Sequence, residues 1–166
     1  PMLSPMDCIL PKHFVVHKFN IFMPLNKTTA DKAIINFSYV DNGTSIHTDC
    51  HYNQTSINVA PKGSTPRWAC EDGRVQFIFN AERASLTLIE KAVQGARKLA
   101  SVPAIRVLLQ VADILGRGSM EAAGTVFPEF ECFLLEQGEG CLAVTDTEGN
   151  FTSLQPSPPL LREEVD

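Results

Sequence analysis

The stretch INFSYVDNGTSIHTDC, Ile35 to Cys50, decides how the chain is read. Ile35, Phe37 and Tyr39 alternate with Asn36 and Ser38, the period of a strand with one buried face. Asn42-Gly43 follows, the strongest short hairpin signal, because a type I′ turn needs positive φ at both central positions. That turn sets Tyr39 opposite Ile46, Phe37 opposite Thr48 and Ile35 opposite Cys50. On the other face it sets Ser38 opposite His47 and Asn36 opposite Asp49. One face is then apolar and carries the cysteine, while the polar face carries Asn36. Asn36 and Asn42 both begin Asn-x-Ser/Thr triplets, so the hairpin exposes two sugar acceptors and turns its sulfur inward.

The neighbouring segments read the same way. HFVVHKFNIFM, from His13, is rich in aromatic and β-branched residues and stops near Pro24. RWACEDGRVQFIFN reads as two strands around Asp72-Gly73, and NAERAS turns the chain into SLTLIEK, where Leu86, Leu88 and Glu90 share a face. Later come GTVFPEFECFLL, with Pro128 marking an edge or bulge, then GCLAVTD, and TEGN as a turn into FTSLQ. Between Ala92 and Gly124 the pattern changes. Val102, Ile105, Leu108, Leu109, Ala112 and Leu115 recur at helical spacing, with Ser101 as N-cap, Pro103 in the first turn and Gly116 beyond the end. The expectation is a mainly β fold, a compact antiparallel β-barrel or sandwich forming a single domain over residues 8–153. It has one inserted helix within 92–124 and a loose C-terminal tail over 154–166.

A chain of 166 residues is most simply one domain with a core of its own. A net charge of −5 gives no electrostatic footprint for nucleic acid or an anionic membrane. The longest apolar run, Val102 to Leu115, is interrupted by Arg106, Gln110 and Asp113 and is too short to span a bilayer. Compartment is clearer. Five Asn-x-Ser/Thr triplets, at Asn26, Asn36, Asn42, Asn53 and Asn150, stand where chance placement gives about one. Five cysteines in a small chain agree with an oxidising environment. The reading is a secreted, extracellular glycoprotein whose targeting segment has already been removed.

Cys50 closes the hairpin and Cys70 follows Trp68 on a nearby strand. A bridge between them closes a loop worth ~3 kcal/mol in the chain-entropy model. Cys132 and Cys141 flank FLLEQGEG and suit a cross-strand bridge. Cys8 is left over, for an intermolecular disulfide or a free buried thiol. His47, Asp49 and His51 look like a metal motif, but alternate strand residues advance ~3.3 Å each, which sets the two histidines ~13 Å apart. A solvated face is expected there, with no metal and no cofactor. No nucleophile motif or phosphate loop is present in the sequence, so no catalytic residue is assigned.

DCILPKHFVVHKFNIF, INFSYVDNGTSIHTDC and RWACEDGRVQFIFNAERASLTLIEK together resemble the Alt a 1-like family of small secreted fungal proteins. The shared order is a cysteine before an aromatic first strand, a strand ending in cysteine, Trp-x-Cys, a Phe-x-Phe strand and a leucine-rich strand. The match covers roughly the first 90 residues; the segment 92–124 departs from it. The resemblance implies a disulfide-stapled β-barrel outside the fungal cell, with Cys50 and Cys70 paired and Cys8 placed to link two subunits as a homodimer. It also implies a role by binding, as an allergen-like effector or elicitor that meets a host or cell-wall protein, without enzymatic activity. A carrier of a small apolar ligand is the second reading, and it requires a dry pocket larger than ~300 Å³. A secreted cell-wall hydrolase is the third, and it requires two carboxyl groups about 5–9.5 Å apart in a cleft.

Overall fold

The computed structural model describes residues 10–24, 33–91 and 120–156, and these form two antiparallel sheets. The first contains β1 (His13–Pro24), β2 (Ile34–Asp41), β3 (Ile46–Tyr52), β8 (Phe130–Leu135) and β9 (Gly138–Ala143), in the order β3-β2-β1-β9-β8. β10 (Thr147–Asn150) pairs with the first half of β1, beyond the end of β9. The second sheet runs β11-β7-β6-β5-β4, from β4 (Trp68–Ala69), β5 (Val75–Asn80), β6 (Ser85–Lys91), β7 (Met120–Val126) and β11 (Ser153–Pro156). Of the two expected architectures this is the sandwich; the sheets face each other without closing into one barrel.

β1 is the spine. Phe14 and Val16 point inward, and so do Phe19 and Ile21, which breaks strict alternation. A bulge resolves the conflict. Lys18 takes φ 54°, and the register against β2 jumps between His17 and Asn20, so the inward parity switches once. Phe19 then stacks on Phe37 with ring centroids 5.6 Å apart, and Phe37 meets Phe77 of the second sheet edge-on at 5.0 Å. These rings, with Leu86 and Leu88, fill the centre of the sandwich.

The hairpin from Ile35 to Cys50 forms, in a register two residues from the expected one. Asp41 pairs with Ile46, Tyr39 with Thr48 and Phe37 with Cys50. Because the slip is even, every side chain keeps its face, and Cys50 is still buried. The loop has four residues rather than two, and the left-handed residue is Ser45, φ 58°, not Asn42 or Gly43. Asp41 causes the difference, since its buried Oδ1 accepts from the Thr44 backbone N–H at 3.2 Å. The β5–β6 hairpin repeats the device. Asn80 Oδ1 accepts from the Arg83 N–H at 3.2 Å, Ala84 takes φ 52°, and Asn80 pairs with Ser85. An Asp or Asn at the strand end outcompetes the Asn-Gly signal by offering the loop a side-chain acceptor.

Four expectations change in the C-terminal part. GTVFPEFECFLL is not one strand but β7 and β8, parted at Phe127–Glu129 where the chain crosses between sheets. TEGN is not a turn but β10. Residues 154–156, expected in the loose tail, lie in β11 against β7. The expected insertion 92–124 also overlaps β7 by five residues; its helical core, like residues 157–166 of the tail, lies outside the described residues. Glycine and alanine, poor strand formers, disguise β7 and β10, yet close packing demands them. A Cβ on Gly124 would lie 2.3 Å from the Asn150 carbonyl oxygen, and one on Gly149 would lie 2.4 Å from both the Phe14 ring and Val126.

Gly124→Ala is therefore expected to destabilise the fold by about 1–3 kcal/mol. Gly73→Ala, where an added Cβ meets nothing within 4 Å, changes stability by less than about 0.5 kcal/mol. Urea unfolding of the two variants beside the parent chain checks both.

A stapled apolar pocket and a buried acid pair

The structure brings Cys50 and Cys70 together with an S–S distance of 2.00 Å, joining edge strand β3 of one sheet to edge strand β4 of the other. Glu71 N–H donates to the Asp49 carbonyl at 2.9 Å, and Asp72 N–H donates to Thr48 Oγ1 at 2.8 Å, which seals the same seam. Two residues beyond Cys50 lies Tyr52, and two before Cys70 lies Trp68. That spacing puts each ring on the face of its bridged sulfur. Their centroids sit 4.7 Å apart, tilted by 49°.

This aromatic pair forms one wall of a cavity of about 560 Å³ at the end of the sandwich. Ile21 and Met23 of β1, Ile35 of β2 and Phe79 of β5 line the remainder. Phe79 in turn packs on Phe19, with ring centroids 5.6 Å apart. An apolar, concave site of this size suits a small apolar molecule. Sequence reasoning required such a pocket for a carrier but did not locate it, because its lining comes from five strands.

A second depression, about 650 Å³ and polar, lies over β2 and β3 and is lined by Ser38, His47, Asp49, Glu71 and Asp72 among others. Asp49 Oδ1 accepts from Ser38 Oγ at 2.7 Å; His51 lies 2.7 Å from Asn36 Oδ1 and 3.3 Å from Glu71 Oε1. His47, Asp49 and His51 sit on this exposed face. Among the described residues one group is close enough to share an ion, Cys132, Glu139 and Cys141. There the two sulfurs are bonded to each other across β8 and β9, at 2.07 Å.

Of the sugar acceptors, Asn42 is exposed in the β2–β3 loop and Asn36 stands half-buried on the outer face of β2. Asn53 is exposed, with its Oδ1 held by Thr55 of its own triplet. Asn150 is exposed beside His13, 3.1 Å away. Asn26 and Cys8 lie outside the described residues.

Between the sheets sits a polar cluster that the sequence reading missed. Tyr39 Oη donates to Glu90 Oε1 at 2.6 Å, and both side chains are buried. Asp41 and Thr44 adjoin the same carboxyl, and both are buried too. Burial, and then the charge of Asp41 alongside, pushes the Glu90 carboxyl up to about 8, against the opposing pull of the Tyr39 hydrogen bond. Burial first, and Glu90 second, raises the Tyr39 hydroxyl above the ordinary tyrosine range. Asp41 Oδ2 and Glu90 Oε2 are buried without a hydrogen-bond partner. A proton on Glu90 turns its carboxyl into a donor, in keeping with its raised pKa. The carboxyl pair expected of a hydrolase would sit in a cleft, whereas this one lies within the core.

In the language of folds, this is a small antiparallel sandwich whose sheets are stapled at one edge by a disulfide. Among solved structures it is similar to the crystal structure of the Alternaria alternata allergen Alt a 1. The match has a TM-score of 0.54 and 14% identity over 88% of this chain and 92% of that one. A second Alt a 1 crystal structure gives 0.52, again at 14% identity, over 88% of this chain and 96% of that one. The chain thus has the Alt a 1-like fold. No family model and no curated protein matches its sequence.

Glu90 binds its proton more tightly folded than unfolded, since about 8 lies above its ordinary value of 4.5. Its contribution is therefore complete below about 4.5 and is lost as pH rises through about 8. Thermal unfolding should show stability falling across that window by an amount on the order of a few kcal/mol. Glu90→Gln, which cannot ionise, should flatten the profile.

Proposed function

We propose that this chain is a secreted fungal protein, allergen-like in type, that acts by binding rather than turnover as an effector or elicitor at a host surface. The observation that carries this reading is the Alt a 1-like sandwich, matched over 88% of the chain and stapled by two disulfides. Such bridges persist in oxidising compartments, and the excess of Asn-x-Ser/Thr triplets fits passage through the secretory pathway. A host or cell-wall protein is the proposed partner, with Cys8 available to join two copies as a homodimer. Mass spectrometry of the secreted, non-reduced protein is expected to find Cys50–Cys70 and Cys132–Cys141 linked and glycan on Asn42 and Asn53. A saturable partner is expected in pull-downs from host extracellular fluid, and its absence would overturn the role.

The cavity of about 560 Å³ favours a second reading, carriage of a small apolar ligand. Trp68, the single tryptophan of the chain, lines it and reports directly on occupancy. Titration with an apolar fluorescence quencher or dye is expected to change Trp68 emission saturably. Ile35→Arg, which sets a cation in the cavity wall, should abolish the change. An identical titration curve for the variant would remove the carrier reading.

A further inference from the structure

The last strand of the first sheet is built against the usual rules for an edge. β8 has β9 on one side and no partner strand on the other among the described residues. Natural edges are blunted by lysine, proline, bulges or a covering element. Here Phe133, Leu134 and Leu135 run consecutively at 45%, 78% and 47% exposure. Phe133 and Leu135 lie on the outer face of the sheet, as does Leu142 of β9, itself 50% exposed. Gly140 makes room for this ridge, since a Cβ there would meet the Phe133 ring at 3.1 Å and Leu135 at 3.5 Å. The result is a free strand edge bordered by a contiguous apolar surface, the type of patch that marks an interaction site.

Charge selects the occupant. From Met120 to Gln155 the chain holds seven carboxylates, Glu121, Glu129, Glu131, Glu136, Glu139, Asp146 and Glu148, and no lysine, arginine or histidine. Glu131 lies within β8, Glu129 just before it and Glu136 just after it, and Glu139 is paired with Leu134. A second copy of this edge would bring those carboxylates against their own kind. A basic strand would meet opposite charge at the rim and apolar surface at the centre.

We propose that β8 is a docking edge for an extended segment of another protein that is apolar at its centre and basic at its ends. Such a segment would add a strand beside Phe130–Leu135. Backbone hydrogen bonds supply affinity in this mode, and alternate side chains supply specificity. The basic ends meet Glu129, Glu131 and Glu136, and the apolar centre lies along Phe133, Leu134 and Leu135. The assignment rests on the binding role above being protein recognition, and it names the surface and the partner chemistry.

The test is fluorescence anisotropy with a short labelled peptide of valines flanked by lysines, beside its counterpart flanked by glutamates. The lysine peptide is expected to bind saturably and to weaken as salt is raised, and the glutamate peptide is expected not to bind. Leu134→Lys and Glu131→Lys each alter an exposed side chain and should weaken binding roughly tenfold or more. Ile57→Lys, which changes an equally exposed apolar residue in the β3–β4 loop, should leave it unchanged. Equal binding by all three variants, or of both peptides, overturns the proposal. So does a dimer by sedimentation that Leu134→Lys dissolves, because the occupant is then a second copy. Protection of the outward β8 amides from hydrogen exchange in the isolated monomer overturns it as well, because the chain then covers its own edge. If Leu134→Lys retains the host partner in a pull-down at the level of the parent chain, the surface is wrong while the binding role stands.

Discussion

The Cys50–Cys70 bridge is the constraint on which the arrangement turns. It ties the edge strands of two different sheets and so fixes their separation and offset where no backbone ladder could. In the chain-entropy account its closed loop of about twenty residues stabilises the fold by ~3 kcal/mol, a large share of the 5–15 kcal/mol typical of a domain. Its structural consequence is more local. Tyr52 and Trp68, each two residues from a bridged sulfur, are brought face to face and become the wall of the apolar pocket. Staple and pocket are one feature.

Away from that seam, the described residues join the sheets by aromatic packing and by a buried polar cluster. Phe19, Phe37 and Phe77 interlock across the interface, and close beside them the Tyr39–Glu90 hydrogen bond crosses it. Burying a carboxyl costs much more than burying a leucine unless it is neutral or fully paired. Glu90 meets that condition by keeping its proton. The contribution of this pair is therefore largest under acid conditions and fades as pH rises through about 8. The polar cluster also ends at Asp41, the residue that caps the four-residue loop, so loop geometry and core electrostatics share a side chain.

Much of the first half was legible from residues 13 to 91. Aromatic and β-branched runs mark β1, β2, β3, β5 and β6, and the burial of Phe37, Tyr39, Leu86 and Leu88 follows from alternation alone. The register of β2 against β3 lies two residues from the one Asn42-Gly43 alone dictates, because the side chain of Asp41 holds the Thr44 N–H and opens the loop to four residues. Glu90 was placed on the correct face, but its meaning was not legible. Its partners Tyr39 and Asp41 lie about fifty residues earlier in the chain and on the other sheet.

By itself, the sequence determined what short-range physics controls: the β periodicity, the hairpins and the cysteines spaced for bridges. Tertiary structure alone decided that β7, rich in alanine and glycine, and the short Gly149-containing β10 are strands. Their small residues answer to the Asn150 carbonyl and the Phe14 ring pressing from other elements, not to local propensity. It alone opened the pocket and left β8 without an outer neighbour among the described residues, since both depend on which strands become neighbours. The physical reason is range. Alternation and turn chemistry act over a few residues, whereas cavities, exposed edges and carboxyl pairs are made by segments distant in the chain.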